Sequence, residues 1–207
     1  MSITYPLSLP SVIRAGATNA ITAARITFGG LYVVAISKSP FTTQAQTYQH
    51  QGDGWFAQFD MPAMTRAEAE PWISFLLSLK GKSGYFTMGD PANQGLLGSA
   101  GGTVTVNGAG QTGYSLAVLG LTGTLKAGDY LSVGTGATQR LYKNLVDKTG
   151  AGTLDIYPSL RESPANGAAV TIGASAKGVF RLVENTVKWE VGADLNYSVA
   201  FSAEEYR

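Results

Sequence analysis

The residues that could carry acid–base chemistry in this chain are few and scattered. Glycoside hydrolysis needs two carboxylates facing one scissile bond. The candidates are Asp53 with Asp60, or a pair drawn from Asp129, Asp147 and Asp155. Most of these stand beside glycine or in turn-like sequence, where aspartate commonly bonds its own local backbone. A serine nucleophile needs a histidine base and a strained elbow. Ser115 and Ser175 both lack the second glycine of that elbow, and the one histidine, His50, sits in a polar stretch that reads as solvated or as part of an interface. One histidine and no cysteine leave no His–His metal site, no thiolate and no disulfide. Calcium would need a dense D-x-D-x-D cluster, which is absent.

Gly108-Ala109-Gly110-Gln111-Thr112-Gly113 has the spacing of a dinucleotide loop. That loop works only when a helix follows it and points its N-terminus at the pyrophosphate. Here Tyr114–Val118 alternates like a strand, and Gly120 and Gly123 oppose a helix, so the hexapeptide reads as a turn. Asn196-Tyr197-Ser198 is a formal glycosylation sequon in a predicted strand, and Glu204-Glu205 reads as a solvated acidic end. No catalytic, cofactor-binding or metal-ligating residue is therefore assigned, and no cofactor is expected. The chain is expected to be no enzyme and to act by shape and association.

Charge points the same way. Fifteen Lys and Arg oppose fourteen Asp and Glu across 207 residues, a charged fraction of 14%. Nucleic acid is a poor fit, because no basic surplus or basic run is present. Met1–Pro10 has no basic segment and two prolines, unlike a signal peptide. No apolar run reaches the roughly 18 residues of a membrane span.

Two compositions alternate along the chain. Glycines number eight in residues 1–90, sixteen in 91–176 and two in 177–207, while every Phe and Trp lies outside 91–176. This predicts a discontinuous outer domain, 1–90 with 177–207, and an inserted domain, 91–176, entered at the turn Gly89-Asp90-Pro91 and left near Gly173–Gly178. In the outer part, Trp55, Ala57, Phe59 and Met61 fall on one strand face. Gly52-Asp53-Gly54 suggests a tight reversal from a polar strand Phe41–His50. Glu184-Asn185-Thr186 suggests a turn between strands Val179–Val183 and Val187–Val191, and Leu195–Phe201 alternates again. Thr65 with Glu68 fits a capping box ahead of a helix whose stripe is Trp72, Phe75, Leu76 and Leu79, with Gly81 as its stop. Pro71 should bend its first turn or delay its start.

In 91–176, Leu116, Val118, Leu125, Tyr130, Leu131, Val133, Leu141, Leu154, Ile156, Val170 and Ile172 are the expected core, with Lys126–Asp129 and Pro164–Gly167 as hairpin loops. The fold class expected is mainly β: a discontinuous belt-like β-sandwich with one flanking helix, plus an inserted small β-barrel.

The order of features in the outer part resembles the distal-tail and minor-tail proteins of long-tailed bacteriophages, including the M-type tail-tip proteins of lambda-like phages. The residues that carry this are the polar strand pair Phe41–Met61, the helix Glu68–Leu79, Gly84-Tyr85-Phe86, Gly89-Asp90-Pro91 and the closing strand Asn196–Glu204. The resemblance implies a virion protein of the tail tip, made in the host cytoplasm. It also implies a homo-oligomeric ring, hexameric in that family, beneath the tail tube. Its expected partners are the tube protein, the tip or hub protein and receptor-binding or fibre proteins, with no specific nucleic acid and no membrane insertion. The alternative expectation is a carbohydrate-binding module on a tail tip, for which the insert offers Tyr114, Tyr130, Tyr142 and Tyr157. A tail-borne hydrolase working through Asp129 or Asp155 is a third.

Overall fold

The computed structural model describes residues 3–10, 25–91 and 95–207. The elements before the glycine-rich stretch are Leu7–Ser8 (β1), Arg25–Lys38 (β2), Ala45–Asp60 (β3), the helix Arg66–Ser78 (α1) and Phe86–Met88 (β4). Within it lie Thr105–Val106 (β5), Gly113–Leu119 (β6), Thr124–Leu125 (β7), Tyr130–Val133 (β8), Arg140–Asn144 (β9), Lys148–Thr149 (β10), Gly152–Leu160 (β11) and Val170–Ile172 (β12). Gly178–Leu182 (β13), Trp189–Val191 (β14) and Tyr197–Glu205 (β15) follow. The protein is mainly β with one α-helix among the described residues.

Strands from both ends of the chain share one sheet, in the order β1-β4-β13-β15-β3-β2, with β14 on β15. The alternation in β3 buries Trp55, Ala57 and Phe59 and turns Phe56 and Gln58 outward. Against that apolar face packs α1, which buries Ala69, Trp72, Ile73, Phe75 and Leu76. Phe59 stacks on Phe201 of β15 with ring centres 4.4 Å apart, and Trp72 lies beyond them. The capping box is present, with the Thr65 N–H donating to the Glu68 carboxylate at 2.9 Å. Pro71 does not delay the helix. It lies inside a helix that already begins at Arg66, held there by the cap and by the apolar stripe. The helix ends as Lys80 and Gly81 take left-handed conformations.

The second sheet runs β12-β8-β9-β11-β6-β5, and its two ends nearly close on each other. Thr105 bridges Ala169, the Val106 N–H donates to the Ala168 carbonyl, and the Val170 N–H donates to the Val104 carbonyl. The core expected from sequence is buried except for half-buried Ile172. Tyr130 and Leu141, however, pack into the cluster of the first sheet, as does Tyr157. The interior surfaces of the two sheets therefore meet.

Four local expectations are corrected. Gly52-Asp53-Gly54 is no reversal: β3 runs through it unbroken, and the true turn lies at residues 39–44. There the Ser39 N–H donates to the Gln44 carbonyl and Thr43 takes a left-handed conformation. Glu184-Asn185-Thr186 does not make a hairpin, because β13 and β14 both run antiparallel to β15 along the same flank. Lys126–Asp129 and Pro164–Gly167 are turns, but neither joins two paired strands: β7 pairs with β10, and β12 pairs with β8. Glu204-Glu205 is not a solvated end. Glu205 is buried, and Glu204 is paired with Arg181.

Candidate functional site

The residues singled out for chemistry do not converge. Ser175, Asp147 and His50 are exposed at separate places, and exposed Ser115 and Asp155 lie opposite each other across β6 and β11 with no histidine beside them among the described contacts. His50 lies edge-on to Tyr48, with ring centres 4.6 Å apart. Asp129 is buried for a structural reason: its two carboxylate oxygens accept the backbone N–H groups of Leu97 and Lys126. Asp147 pairs with Lys126 at 2.6 Å and accepts from the Ala127 N–H. Among the described residues, no group of three His, Asp or Glu side chains is placed to hold a metal ion. The glycine-rich hexapeptide closes the β5–β6 connection, and the Gln111 side chain accepts from the Ala117 N–H and donates to nearby carbonyls.

Asp53 is the one acidic candidate inside a built polar cluster. Its carboxylate is fully buried and accepts the Ser159 N–H at 2.6 Å and the Ser159 hydroxyl at 2.7 Å. Arg161, just past β11, donates to Asp53 at 3.3 Å and to Glu205 of β15 at 3.0 Å. The Trp55 N–H also donates to Glu205. Three distant lengths of chain meet on this arginine. Around it the Tyr157 hydroxyl lies 2.8 Å from the Leu31 carbonyl and 3.0 Å from the Gly54 carbonyl, and the indole N–H of Trp55 donates to the Leu141 carbonyl at 2.8 Å. Arg207 donates to the carbonyls of Gly52 and Asp53.

This cluster explains the two glycines flanking Asp53. A Cβ on Gly54 would lie about 3 Å from the charged ends of Arg207, Glu205 and Arg161, and one on Gly52 would strike Val33. The glycines are required by close approach rather than by a turn. The electrostatics are divided. Burial works against ionisation of Asp53, but the Ser159 bonds and the Arg161 charge outweigh it and hold the carboxyl below its usual range. Burial dominates at Glu205, whose carboxyl is raised despite Arg161 and the Trp55 N–H. The Tyr142 hydroxyl is pushed up to about 12 by burial and by the nearby Glu205 charge. Glu205 lines an open cavity of about 320 Å³ with Leu31, Trp55, Arg181, Glu204 and Arg207, whereas the Asp53 carboxylate is turned inward onto Ser159 and Arg161. The cluster is a joint.

What the joint supports is a two-stranded ribbon. β2 and β3 pair from Arg25 opposite Asp60 out to Lys38 opposite Ala45. Beyond Leu31 the ribbon extends for roughly 25 Å at strand rise, and its side chains on both faces are exposed. Val34, Ile36 and Phe41 are among them, with Ile36 68% and Phe41 94% exposed. Among the described residues, the half of the ribbon nearer its root touches the second sheet, through Tyr32 against Tyr157 and the Gln49 amide donating to the Tyr114 hydroxyl. Sequence reasoning missed β2 altogether, although its run Leu31-Tyr32-Val33-Val34-Ala35-Ile36 carried a β-propensity signal. No protein-family model matches this chain, and no curated protein matches it in sequence.

Proposed function

We propose that this protein is a structural component of a phage virion. It forms a ring of identical copies at the distal end of the tail tube, joining the tube to the tip complex and leaving a passage for DNA. The observation that carries this reading is the ribbon. An isolated two-stranded ribbon is marginally stable in water, and one exposing Val34, Ile36 and Phe41 gains by being covered. A ring of one chain uses heterologous contacts, in which a patch on one copy meets a different patch on the next. The near-neutral surface costs little to desolvate in such contacts and makes any contact with DNA one of transit. In the tail, the resemblance places the tube protein on one side of the ring, the hub on the other, and receptor-binding or fibre proteins at the rim.

The carbohydrate-binding alternative finds less support. Tyr130, Tyr142 and Tyr157 are all buried, which leaves Tyr114 as the accessible aromatic of the insert. The reading is tested by purifying the protein with its tail proteins and imaging the particles. A ring at the tail end is the expected result. A monomer absent from virions overturns it.

A further inference from the structure

We infer that the ribbon of one copy is received by the β14 edge of the next, so that the contact is strand to strand and head to tail. This inference deepens the ring reading and rests on it. Four observations converge.

First, among the described residues β2 and β14 each have a strand partner on one side only, β3 and β15 respectively. A free edge presents unused N–H and C=O groups that another strand can take up. Second, the two edges lie on opposite sides of the β15–β3 pair, β14 on the flank of β15 turned away from β3 and β2 on the far flank of β3. Joining edges that face away from each other repeats head to tail from copy to copy. Third, both edges carry exposed apolar side chains: Val33, Val34 and Ile36 on the ribbon, Trp189 and Val191 on β14. Fourth, their charges are complementary. Residues 31–51 hold Lys38 and no carboxylate, whereas residues 184–195 hold Glu184, Glu190 and Asp194 against Lys188.

The alternation of strand side chains fixes which groups meet. Val34, Ile36 and Lys38 share one face of the ribbon, and Val33 and Ala35 share the other with Tyr48. Lys38 reaches Glu190 when Glu190 joins the face of Val34 and Ile36. Trp189 and Val191 then fall on the face of Val33, Ala35 and Tyr48, an aromatic–aliphatic pairing that stabilises adjacent strands.

The absence of native cysteine makes the test direct. The full chain carrying Ala35→Cys and Val191→Cys, both at exposed positions, is allowed to assemble and treated with a short flexible bismaleimide. A ladder of covalent oligomers is expected, with each single variant giving none. In parallel, Lys38→Glu should raise the concentration for half-assembly about tenfold, and adding Glu190→Lys should restore it. Rings that form but yield no product between positions 35 and 191 overturn the inference and leave the ring reading standing. So does a covalent dimer of the Ala35→Cys variant alone, which would mean ribbon against ribbon, or a charge reversal that Glu190→Lys fails to rescue. A wild-type chain that never assembles, alone or with its tail proteins, overturns the ring reading itself.

Discussion

Arg161 brings one positive charge into a space that already holds two buried carboxylates, Asp53 and Glu205. Breaking a buried ionic cluster from one side is far more damaging than never having built it, because the remaining charges stay desolvated. Arg161→Ala is therefore expected to cost about 3–5 kcal/mol in urea unfolding, while Lys126→Ala, at an exposed pair, should leave the unfolding midpoint nearly unchanged. The two carboxylates respond to acid in opposite directions. Glu205 is raised in the folded state, so its ionised form costs stability at neutral pH, and that cost is relieved as pH falls through its raised pKa toward the ordinary 4.5. Asp53 is depressed, so its contribution is complete above the ordinary 3.8 and lost only as pH falls through the lowered value. In thermal melts taken from neutral to about pH 5, the wild type should therefore gain stability relative to Glu205→Gln. An unchanged difference between the two proteins across that range would show that Glu205 does not titrate there.

At the scale of elements, the root of the ribbon is held by shape. A methyl group at position 30 would lie 2.5 Å from the Tyr157 hydroxyl, which is itself placed between two carbonyls of β2 and β3. Neither partner can yield without losing a buried hydrogen bond. Gly30→Ala is expected to destabilise by about 1–3 kcal/mol. Its effect should be strongly non-additive with Tyr157→Phe in a double-mutant cycle read by urea unfolding. Strict additivity would mean that the two positions do not touch in solution. The helix was legible from its cap and its stripe, because both are local signals written within one turn of each other. The course of β3 was not: Gly52-Asp53-Gly54 has the local chemistry of a turn, and what straightens it comes from Ser159 and Arg161, more than a hundred positions away.

For the whole molecule, the question is whether the two sheets unfold together. The buried cluster of the first sheet includes Tyr130, Leu141 and Tyr157 from the glycine-rich stretch, and the Arg161 cluster spans both sheets. Such a shared interior couples them. A single calorimetric transition is expected, with the measured enthalpy equal to the van't Hoff value. Two separated transitions would show that the sheets stand independently and that the joint is weak.

The amino-acid order alone determined what depends on near neighbours: the β-rich character, the alternating faces of the strands and the capped helix. It also marked, through composition, that the two ends of the chain are alike. The tertiary structure decided which strand lies beside which, that Glu205 is buried while Phe41 is not, and that a turn-like Asp53 anchors the joint between the sheets. Those outcomes depend on contacts between residues far apart in the chain, and a pattern confined to one segment holds no information about the segment that will cover it.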